Sequence, residues 1–528
     1  MTGSGLDLVI TNARIIDGTG APAFSGSVGI RGNTIEEVYR EIRPPLNPSA
    51  AQVIDAEGLA LTPGFIDLHS HADFSLPASP AALTQIMQGV TTLVTGNCGI
   101  SPFPRTDRAA MKAATDFLHP ELDWNWTGAG DYAAALQKGR PAVNVVLQVG
   151  HGALRMAAMG TAERAPTPRE LDRMCRLLRE SAEQGVRGFS TGLIYAPGSF
   201  AESAEMTALA RTAAECGLLY STHIRNETDS VLDAVGEALS VAEETGVRLE
   251  ISHLKAMGPR NHGLVPRALE LIHAARARGV DVAADVYPYT ASSTTLTSRL
   301  PGWALDGGTA GLLERLADPG DRERLRTVLE QRFDGEIDPA GIVLASLPEG
   351  KYSGWTGRSL VEVGTAFGIS PAEAALDVMA RHQGAVSIIN HAMTEPDVEA
   401  ALRDPWISVA SDGWVLTAAG KGQPHPRSFG TFSRVLGRYV RERGVLSLAE
   451  AVRKMTSLPA ARAGLAGRGL VAPGYAADLA VFDPAAVRDT STYSDPWRLS
   501  EGMVHVLVNG VPALQGGQPV SGHGGRVL

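Results

Sequence analysis

Short apolar runs and helical stretches alternate through the middle of the chain, and a glycine marks each change from helix to strand. These glycines are Gly185, Gly217, Gly246 and Gly279, and the runs that follow them are Val186–Gly192, Leu218–Arg225, Val247–Lys255 and Val280–Tyr289. A glycine that ends a helix adopts the positive φ required there. Strands that alternate with helices of this length predict βαβ units and a parallel sheet. No glycine-rich nucleotide-binding segment follows a strand, so the pattern favours an α/β fold of the (β/α)8 TIM-barrel type.

Both ends of the chain show a different pattern, in which short alternating segments are separated by turn residues. These segments are Leu8–Gly18 and Gly26–Tyr39 near the start, and Ala477–Asp483 and Met503–Val511 near the end. They predict one small β-sandwich domain formed from both chain termini. The stretch from Leu305 to Pro348 is rich in Gly, Asp and Arg, and it interrupts the barrel pattern. The predicted division is a small β-domain from 1–61 and 466–528, a barrel from 62–465, and an insertion in the barrel at about 305–348.

Composition narrows the choice of partner. The 528 residues are 44% hydrophobic and 20% charged, as in an ordinary globular protein, and the net charge is −10 with a pI near 5.8. This charge disfavours nucleic acid and an anionic membrane as partners, and a small-molecule substrate is expected instead. Three cysteines and a start that lacks both basic residues and a long apolar stretch predict a cytoplasmic protein without a signal peptide. The sequence indicates no oligomeric state.

Five candidate metal ligands lie at the ends of predicted strands: His69, His71, Cys98, His223 and His253. Side chains alternate along a strand, so His69 and His71 point the same way and can share one ion. Such a pair alone is equally typical of a half-buried strand. In a parallel barrel, however, the C-terminal strand ends converge on the active site. Cys98, His223 and His253 predict a zinc site that leaves a position open for water, and the histidine pair predicts a second site, giving one or two zinc ions per chain.

Several segments resemble a known family. The stretches TPGFIDLHSHAD and VAPGYAADLAVFD look like the amidohydrolase superfamily over nearly the whole chain. Within it, GNCGIS, STGLIYAPG, STHIRNE, ISHLKAMG, DVYPYTASST and HPRSFGTF resemble the N-acyl-D-amino-acid deacylases, or D-aminoacylases. The resemblance implies zinc-dependent hydrolysis of the amide bond of an N-acyl-D-amino acid to a carboxylate and a free D-amino acid. Related cyclic amidases bridge their metals with a carbamylated barrel lysine, whereas Cys98 looks to take that role here.

Asp412 is the candidate proton shuttle. It follows the predicted strand Trp406–Ser411 and precedes Gly413, and an Asp-Gly pair alone is typical of a turn. At the C-terminal end of a late barrel strand, beside a metal centre, a carboxylate has a chemical use. It can accept a proton from the attacking water and later donate it to the leaving amine.

A second group of residues is predicted to bind the substrate. Alternation along the strand places Lys255 on the same face as His253. The family resemblance implies that Arg427, Tyr287 and Ser293 join Lys255 around a substrate carboxylate. Several donors fixed around the α-carboxylate would also select one enantiomer.

The side-chain pocket is predicted to be lined by Tyr195, Leu296, Arg299 and His425. Arg299 in the pocket would favour acidic side chains, but a surface charge is more typical of a lone arginine, and we interpret it as one. The loop Gly413–Pro426 departs from the family pattern, because it lacks the expected His-rich run.

Three other functions fit the same residues. A cyclic amidase of the hydantoinase or dihydroorotase kind would share the fold and the metals, but usually needs no carboxylate clamp. A dipeptidase that releases a C-terminal D-residue would need the same clamp. A metal-holding binding protein without turnover would keep the fold, because fold alone does not imply function, although the presence of Asp412 argues against it.

Overall fold

The computed structural model describes residues 5–40, 52–105 and 125–528, so residues 1–4 and 41–51 of the predicted small β-domain lie outside the described part. The described residues contain twenty strands in three sheets. They are β1 (Leu8–Ile15), β2 (Phe24–Arg31), β3 (Thr34–Tyr39), β4 (Gln52–Asp55), β5 (Ala60–Pro63), β6 (Phe65–Asp67), β7 (Val90–Thr95), β8 (Asn144–Gly150), β9 (Gly188–Gly192), β10 (Leu219–His223), β11 (Arg248–Ile251), β12 (Val282–Val286), β13 (Ala291–Thr295), β14 (Ile342–Ser346), β15 (Ser387–His391), β16 (Ile407–Val409), β17 (Leu479–Phe482), β18 (Met503–Val508), β19 (Val511–Gln515) and β20 (Gln518–Pro519).

Eight parallel strands form the barrel. Their order is β6-β7-β8-β9-β10-β11-β12-β16. The four glycines predicted to end helices all have positive φ, and a barrel strand follows each of them. The predicted (β/α)8 fold is therefore confirmed.

Helices connect the strands of the barrel and flank the smaller sheets. Thr167 begins one of them with a capping box, in which its hydroxyl accepts from the N–H of Glu170. None of the described helices is long and apolar enough to cross a membrane. The helices are Leu83–Ile86, Ala129–Lys138, His151–Met159, Pro168–Glu183, Ser203–Glu215, Val231–Thr245, Val265–Ala277, Gly308–Ala317, Pro319–Phe333, Leu360–Phe367, Pro371–Arg381, Glu395–Arg403, Arg427–Arg434, Leu448–Met455 and Ser457–Arg462.

The first and last barrel strands are joined at their C-terminal ends by a side chain and by the residues that follow. The Asp67 carboxylate, at the end of β6, accepts hydrogen bonds from the N–H of Ser411 (2.8 Å) and from the Ser411 hydroxyl. Just beyond, the N–H of Asp412 donates to the backbone oxygen of His69 (2.8 Å). These bonds close the barrel between segments that are 344 residues apart in sequence.

The nine-stranded sheet draws its strands from both ends of the chain. Its order is β20-β19-β18-β17-β5-β1-β2-β3, and β4 pairs with β1. The pairing of β17 with β5, the strand that leads into the barrel, joins the two ends. Ile10, Leu61 and Leu479 lie in a separate apolar core between these strands. The small β-domain from both termini is confirmed, whereas the bounds 1–61, 62–465 and 466–528 stay a prediction.

A third sheet interrupts the barrel between β12 and β16. Its three strands are antiparallel in the order β13-β15-β14, and the helices between 308 and 381 enclose an apolar core around Leu325 and Leu344. The segment spans 291–391, and the predicted insertion at about 305–348 lies inside it. The sequence of β13 is ASSTT, and its polar side chains give no apolar run that could mark the start of the segment.

Candidate metal centre and active site

The C-terminal ends of the barrel strands bring the candidate ligands together. His69 and His71 follow β6, Cys98 follows β7, His223 ends β10 and His253 follows β11. Except for His71, none of the five is more than 3% exposed. Four of the five belong to two overlapping groups whose donor atoms lie within 4.8 Å of one another. These groups are His69, Cys98, His253 and Asp412, and His223, Glu227 and His253, and His71 is in neither of them.

The Cys98 sulfur lies at the centre of this cluster. It is 3.3 Å from Nε2 of His69, 3.5 Å from Nε2 of His253 and 3.7 Å from Nδ1 of His223. A tetrahedral zinc ion with a Zn–S bond of about 2.3 Å and Zn–N bonds of about 2.0–2.1 Å separates its sulfur and nitrogen ligands by about 3.5 Å. The distances of 3.3–3.7 Å around Cys98 are close to that separation, so a thiolate with surrounding imidazoles fits zinc.

Three residues of the cluster have a left-handed backbone. The φ angle is +53° at Cys98, +36° at His253 and +50° at Asp412. This conformation is uncommon for residues other than glycine and costs on the order of 1–3 kcal/mol. Each of these residues comes shortly after a barrel strand ends, and the turn directs its side chain into the cluster.

The strand that leads to His253 ends earlier than the sequence predicts. β11 stops at Ile251, and Leu249 and Ile251 pack into the main apolar core. If the strand continued, alternation would place His253 and Lys255 on the same apolar side. The expectation that strand alternation carries Lys255 into the site is therefore wrong. Lys255 still reaches the site, because the chain turns at His253.

Burial sets the protonation of these ligands. It lowers the pKa of His69 and of His253 to about 3, so both imidazoles are neutral and keep a lone pair for a metal. Burial also raises the pKa of the Cys98 thiol well above its usual value, and the nearby Asp412 raises it further. A thiolate at this place requires a cation beside it, and a divalent metal supplies that charge.

Asp412 lies beside the histidine pair. Its Oδ1 is 3.0 Å from Nε2 of His71 and 3.5 Å from Nε2 of His69, and its Oδ2 forms an ion pair with Nη1 of Arg427 at 2.8 Å. Burial alone would raise the pKa of Asp412, but Arg427, His253 and His71 hold it well below its usual value. Asp412 is therefore an ionised carboxylate that can accept a proton.

Arg427 contacts two of the predicted substrate-binding residues. Its guanidinium lies 4.9 Å from the centre of the Tyr287 ring, and its Nη2 donates to the backbone oxygen of Ser293 (3.2 Å). Ser293 thus contacts Arg427 through its backbone rather than its hydroxyl. Tyr195 reaches the same strand, because its hydroxyl lies 3.0 Å from Oγ1 of Thr294.

Glu227 is a site residue that the sequence analysis missed. Its carboxylate forms an ion pair with Nζ of Lys255, which also lies 2.8 Å from Nδ1 of His253. Glu227 is 5% exposed and follows His223 by four residues in STHIRNE. That run is typical of a polar loop, and only the spacing between histidine and carboxylate indicated a shared site.

Two of the predicted pocket residues have other contacts in the structure. Leu296 is fully buried in the core of the inserted segment. His425 donates from Nε2 to the backbone oxygen of Ala291 (2.9 Å) and accepts at Nδ1 from the N–H of Arg427 (3.0 Å). Both ring nitrogens are engaged, so His425 holds the backbone of Arg427 in place.

The loop Gly413–Pro426 joins three parts of the molecule. The N–H of Gln423 donates to the backbone oxygen of Ala345 in the inserted segment (2.8 Å). The indole of Trp497 donates to the backbone oxygen of Gly422 (3.0 Å). The loop therefore connects the barrel to the inserted segment and to the C-terminal part of the chain.

Arg299 is buried, so its interpretation as a surface charge is wrong. It is 4% exposed, and its guanidinium has no hydrogen-bond or ion-pair partner among the described residues. Burial and the neighbouring Arg332 lower the pKa of Arg299 to about 10, whereas Tyr195 and Glu227 oppose that shift. A buried cation without a paired anion is costly, which makes Arg299 a candidate anion-binding group.

Comparison with known proteins identifies the family of the chain. Residues 52–513 match the Amidohydrolase family. The chain belongs to the amidohydrolase family.

This amidohydrolase is similar to enzymes that act on N-acyl-D-amino acids. It is 39% identical to the N-acyl-D-glutamate deacylase of Alcaligenes xylosoxydans xylosoxydans, over 99% of this chain and 96% of the relative. It is 37% identical to the D-aminoacylase of the same organism, over 99% of this chain and 97% of that relative. Among solved structures, the N-acyl-D-glutamate deacylase of Bordetella bronchiseptica matches with a TM-score of 0.85 at 36% identity, over 99% of this chain and 100% of that one. That protein was solved with zinc and a phosphonate inhibitor that mimics the tetrahedral intermediate.

We predict that this amidohydrolase binds a divalent metal ion through the cluster around Cys98. Cys98→Ala or His253→Ala should lose most of the metal, because each change removes a donor that the remaining ligands cannot replace. Metal content per chain after purification is the measurement. Cys216→Ala, at the end of the helix Ser203–Glu215, is the matched control and should keep its metal. Full metal content in both cluster variants would contradict the assignment.

Proposed function

We propose that this protein is a zinc-dependent N-acyl-D-amino-acid deacylase. The observation that carries the proposal is the position of Asp412, an ionised carboxylate that Arg427 holds beside a buried cluster of cysteine and histidines. Hydrolysis of an amide needs a polarised carbonyl, an activated water and a group that moves protons. The similarity to deacylases extends over nearly the whole chain and supports the same chemistry.

The donor set fits one or two zinc ions per chain. Cys98, His223 and His253 would hold one ion, and His69 and His71 would hold a second. Thiolate and imidazole are the donors that zinc prefers in proteins. Zinc, when bound, lowers the pKa of a coordinated water to about 7 and polarises the scissile carbonyl.

Asp412 moves the protons. Its Oδ1, the oxygen that faces the histidine pair, takes a proton from the attacking water and then donates it to the leaving nitrogen of the amide. The ion pair of Oδ2 with Arg427 keeps the carboxylate oriented and ionised before the first transfer. One carboxylate can serve both steps because the proton that it accepts from the water is the one that it returns to the amide nitrogen.

Arg427, Tyr287 and Lys255 bind the α-carboxylate of the substrate. A guanidinium has five N–H donors, and its planar fork binds a carboxylate through two charge-assisted bonds. The contacts of Arg427 with Asp412 and with the backbone of Ser293 leave donors for the substrate. When the α-carboxylate and the amide carbonyl of the substrate are both held, the substrate side chain can point in only one direction. The site therefore accepts one enantiomer.

The preferred substrate carries an acidic side chain. The identities to the D-glutamate deacylase and to the D-aminoacylase, 39% and 37%, do not separate the two side-chain preferences. Arg299 supports an acidic preference, because it is a buried cation without an ion-pair partner among the described residues, and it interacts electrostatically with Tyr195 and Glu227. The side-chain carboxylate of N-acyl-D-glutamate or N-acyl-D-aspartate would supply its partner, through a charged hydrogen bond worth about 1.5–3 kcal/mol.

The partner is this small molecule, and a net charge of −10 disfavours nucleic acid. A cytoplasmic location is supported by the cysteines. Cys98, Cys175 and Cys216 are all free, as is usual in a reducing compartment.

Hydrolysis of a substrate panel by the zinc-loaded protein tests this function. The panel contains N-acetyl-D-glutamate, N-acetyl-L-glutamate, glycyl-D-glutamate and a hydantoin, and the released amine or the opened ring is measured. The D-acetyl substrate should be hydrolysed fastest, and the hydantoin should be spared because it offers no free α-carboxylate to Arg427. Preference for the dipeptide or for the hydantoin would indicate the corresponding alternative enzyme. Bound zinc without hydrolysis of any panel member would contradict the proposal and favour a binding protein.

Asp412→Asn should keep zinc and lose turnover. The change preserves size but removes the group that accepts the proton, so kcat should fall by about 10²–10⁴-fold or more. Zinc content and kcat are measured on the same preparation. Asp478→Asn is the matched control, because Asp478 is also buried and accepts from a backbone N–H, that of Asn509, at 2.7 Å, but lies outside the cluster. Near-parent kcat in the Asp412 variant with zinc intact would rule out this role.

Arg299→Met should change the side-chain preference. Loss of a charged hydrogen bond worth about 1.5–3 kcal/mol lowers kcat/KM for N-acetyl-D-glutamate by roughly 10- to 150-fold. The same variant should retain or increase its kcat/KM for N-acetyl-D-leucine, which has no side-chain charge and serves as the internal control. An equal loss for both substrates would show that Arg299 does not bind the side chain.

A further inference from the structure

Glu227 is a buried carboxylate that the mechanism above does not use. Its Oε2 lies 3.5 Å from Nε2 of His223, and its Oε1 lies 3.2 Å from Nδ1 of His253. Oε1 also forms the ion pair with Nζ of Lys255. One carboxylate therefore contacts two candidate zinc ligands and one candidate substrate-binding cation.

Glu227 lies behind both imidazoles as seen from Cys98. The nitrogens that face the Cys98 sulfur are Nδ1 of His223 and Nε2 of His253, at 3.7 Å and 3.5 Å. The nitrogens that face Glu227 are the opposite ones in each ring. A histidine that binds a metal commonly donates its other N–H to a carboxylate, which fixes the ring and its tautomer. Glu227 is close to that position for both ligands, at 3.2 Å from His253 and at 3.5 Å from His223, whose Nε2 forms no hydrogen bond within the described residues.

Lys255 and Glu227 favour different tautomers of His253. Its ammonium lies 2.8 Å from Nδ1 of His253, and an ammonium can only donate, so this contact requires Nδ1 to accept. The hydrogen of the neutral ring is then on Nε2, the nitrogen that faces Cys98, and this tautomer has no lone pair there for a metal. A carboxylate can only accept, so Glu227 favours the hydrogen on Nδ1 and leaves Nε2 free.

We propose that Glu227 is a positioning residue that selects the metal-binding tautomer of His253 and orients His223, against the opposing contact of Lys255. Metal binding and the position of the Lys255 ammonium are then coupled. A metal at Nε2 keeps the hydrogen on Nδ1, so the ammonium leaves that nitrogen and becomes available to the substrate carboxylate. This inference rests on the zinc site of the proposed function and does not require turnover.

The zinc affinity of two variants of the full chain tests the proposal. Metal-free protein is titrated with zinc in competition with a chromophoric chelator. Glu227→Gln should bind zinc about 10- to 100-fold more weakly than the parent. Lys255→Met should bind zinc at least as tightly as the parent, because the competing contact and the charge repulsion are both removed. In cobalt-loaded protein, the d–d absorption should change in Glu227→Gln, since it reports the ligand geometry.

Glu205→Gln is the matched control. Glu205 is 3% exposed and also contacts a histidine and a basic side chain, with His151 Nε2 at 2.7 Å and an ion pair to Arg155, but it lies outside the metal cluster. This variant should keep the zinc affinity and the cobalt spectrum of the parent. Parent zinc affinity in Glu227→Gln would overturn the proposal. Equal weakening in Lys255→Met would also overturn it, because the three groups would then act only as a structural unit.

A second variant covers the case in which Glu227→Gln does not fold. Glu227→Asp keeps the charge and withdraws it by one methylene, so it should weaken zinc binding by a smaller factor, and unchanged affinity would overturn the proposal. Zinc affinity is measured without hydrolysis. The two proposals can therefore fail separately. If the protein hydrolyses no panel substrate, but Glu227→Gln weakens zinc binding and Lys255→Met does not, the deacylase assignment is wrong and the role of Glu227 stands.

Discussion

Closure of the barrel between β6 and β16 is the constraint on which the site depends. Each of these strands is only three residues long, so ladder pairing alone cannot hold them together. The bonds of Asp67 with Ser411 supply the missing contacts, and the backbone bond between Asp412 and His69 continues them into the site. Without this closure the histidine pair and Asp412 would lie on opposite edges of an open sheet.

Two of the cations at the site are paired with carboxylates. Arg427 pairs with Asp412, and Lys255 pairs with Glu227. Pairing offsets much of the cost of taking each charge out of water. In the described part of the chain the buried cation Arg299 has no such partner. A substrate with a second carboxylate would neutralise it.

The sequence predicts which residues reach the site better than it predicts the backbone path that brings them there. Cys98 and the histidines could be predicted to meet because the C-terminal ends of parallel barrel strands lie at the same face of the barrel. The helix-ending glycines Gly217 and Gly246 located the strands of His223 and His253. The early end of β11 and the turn at His253 could not be predicted, since nothing in the apolar run marks where pairing stops. Glu227 lies in a polar loop that shows no hydrophobic periodicity. The burial of Arg299 depends on an inserted segment whose first strand is Ala, Ser and Thr, which gives no apolar run.

The left-handed backbone at Cys98 and His253 has a consequence for how such a protein can diverge. Glycine at either position would relieve a conformational cost on the order of 1–3 kcal/mol, but it offers no donor atom. Selection for stability alone would therefore remove these two side chains early, because mutations that relieve strain at functional sites commonly stabilise the fold. In a lineage that no longer used the metal, drift towards glycine or asparagine at these two positions would be an early trace of the lost chemistry.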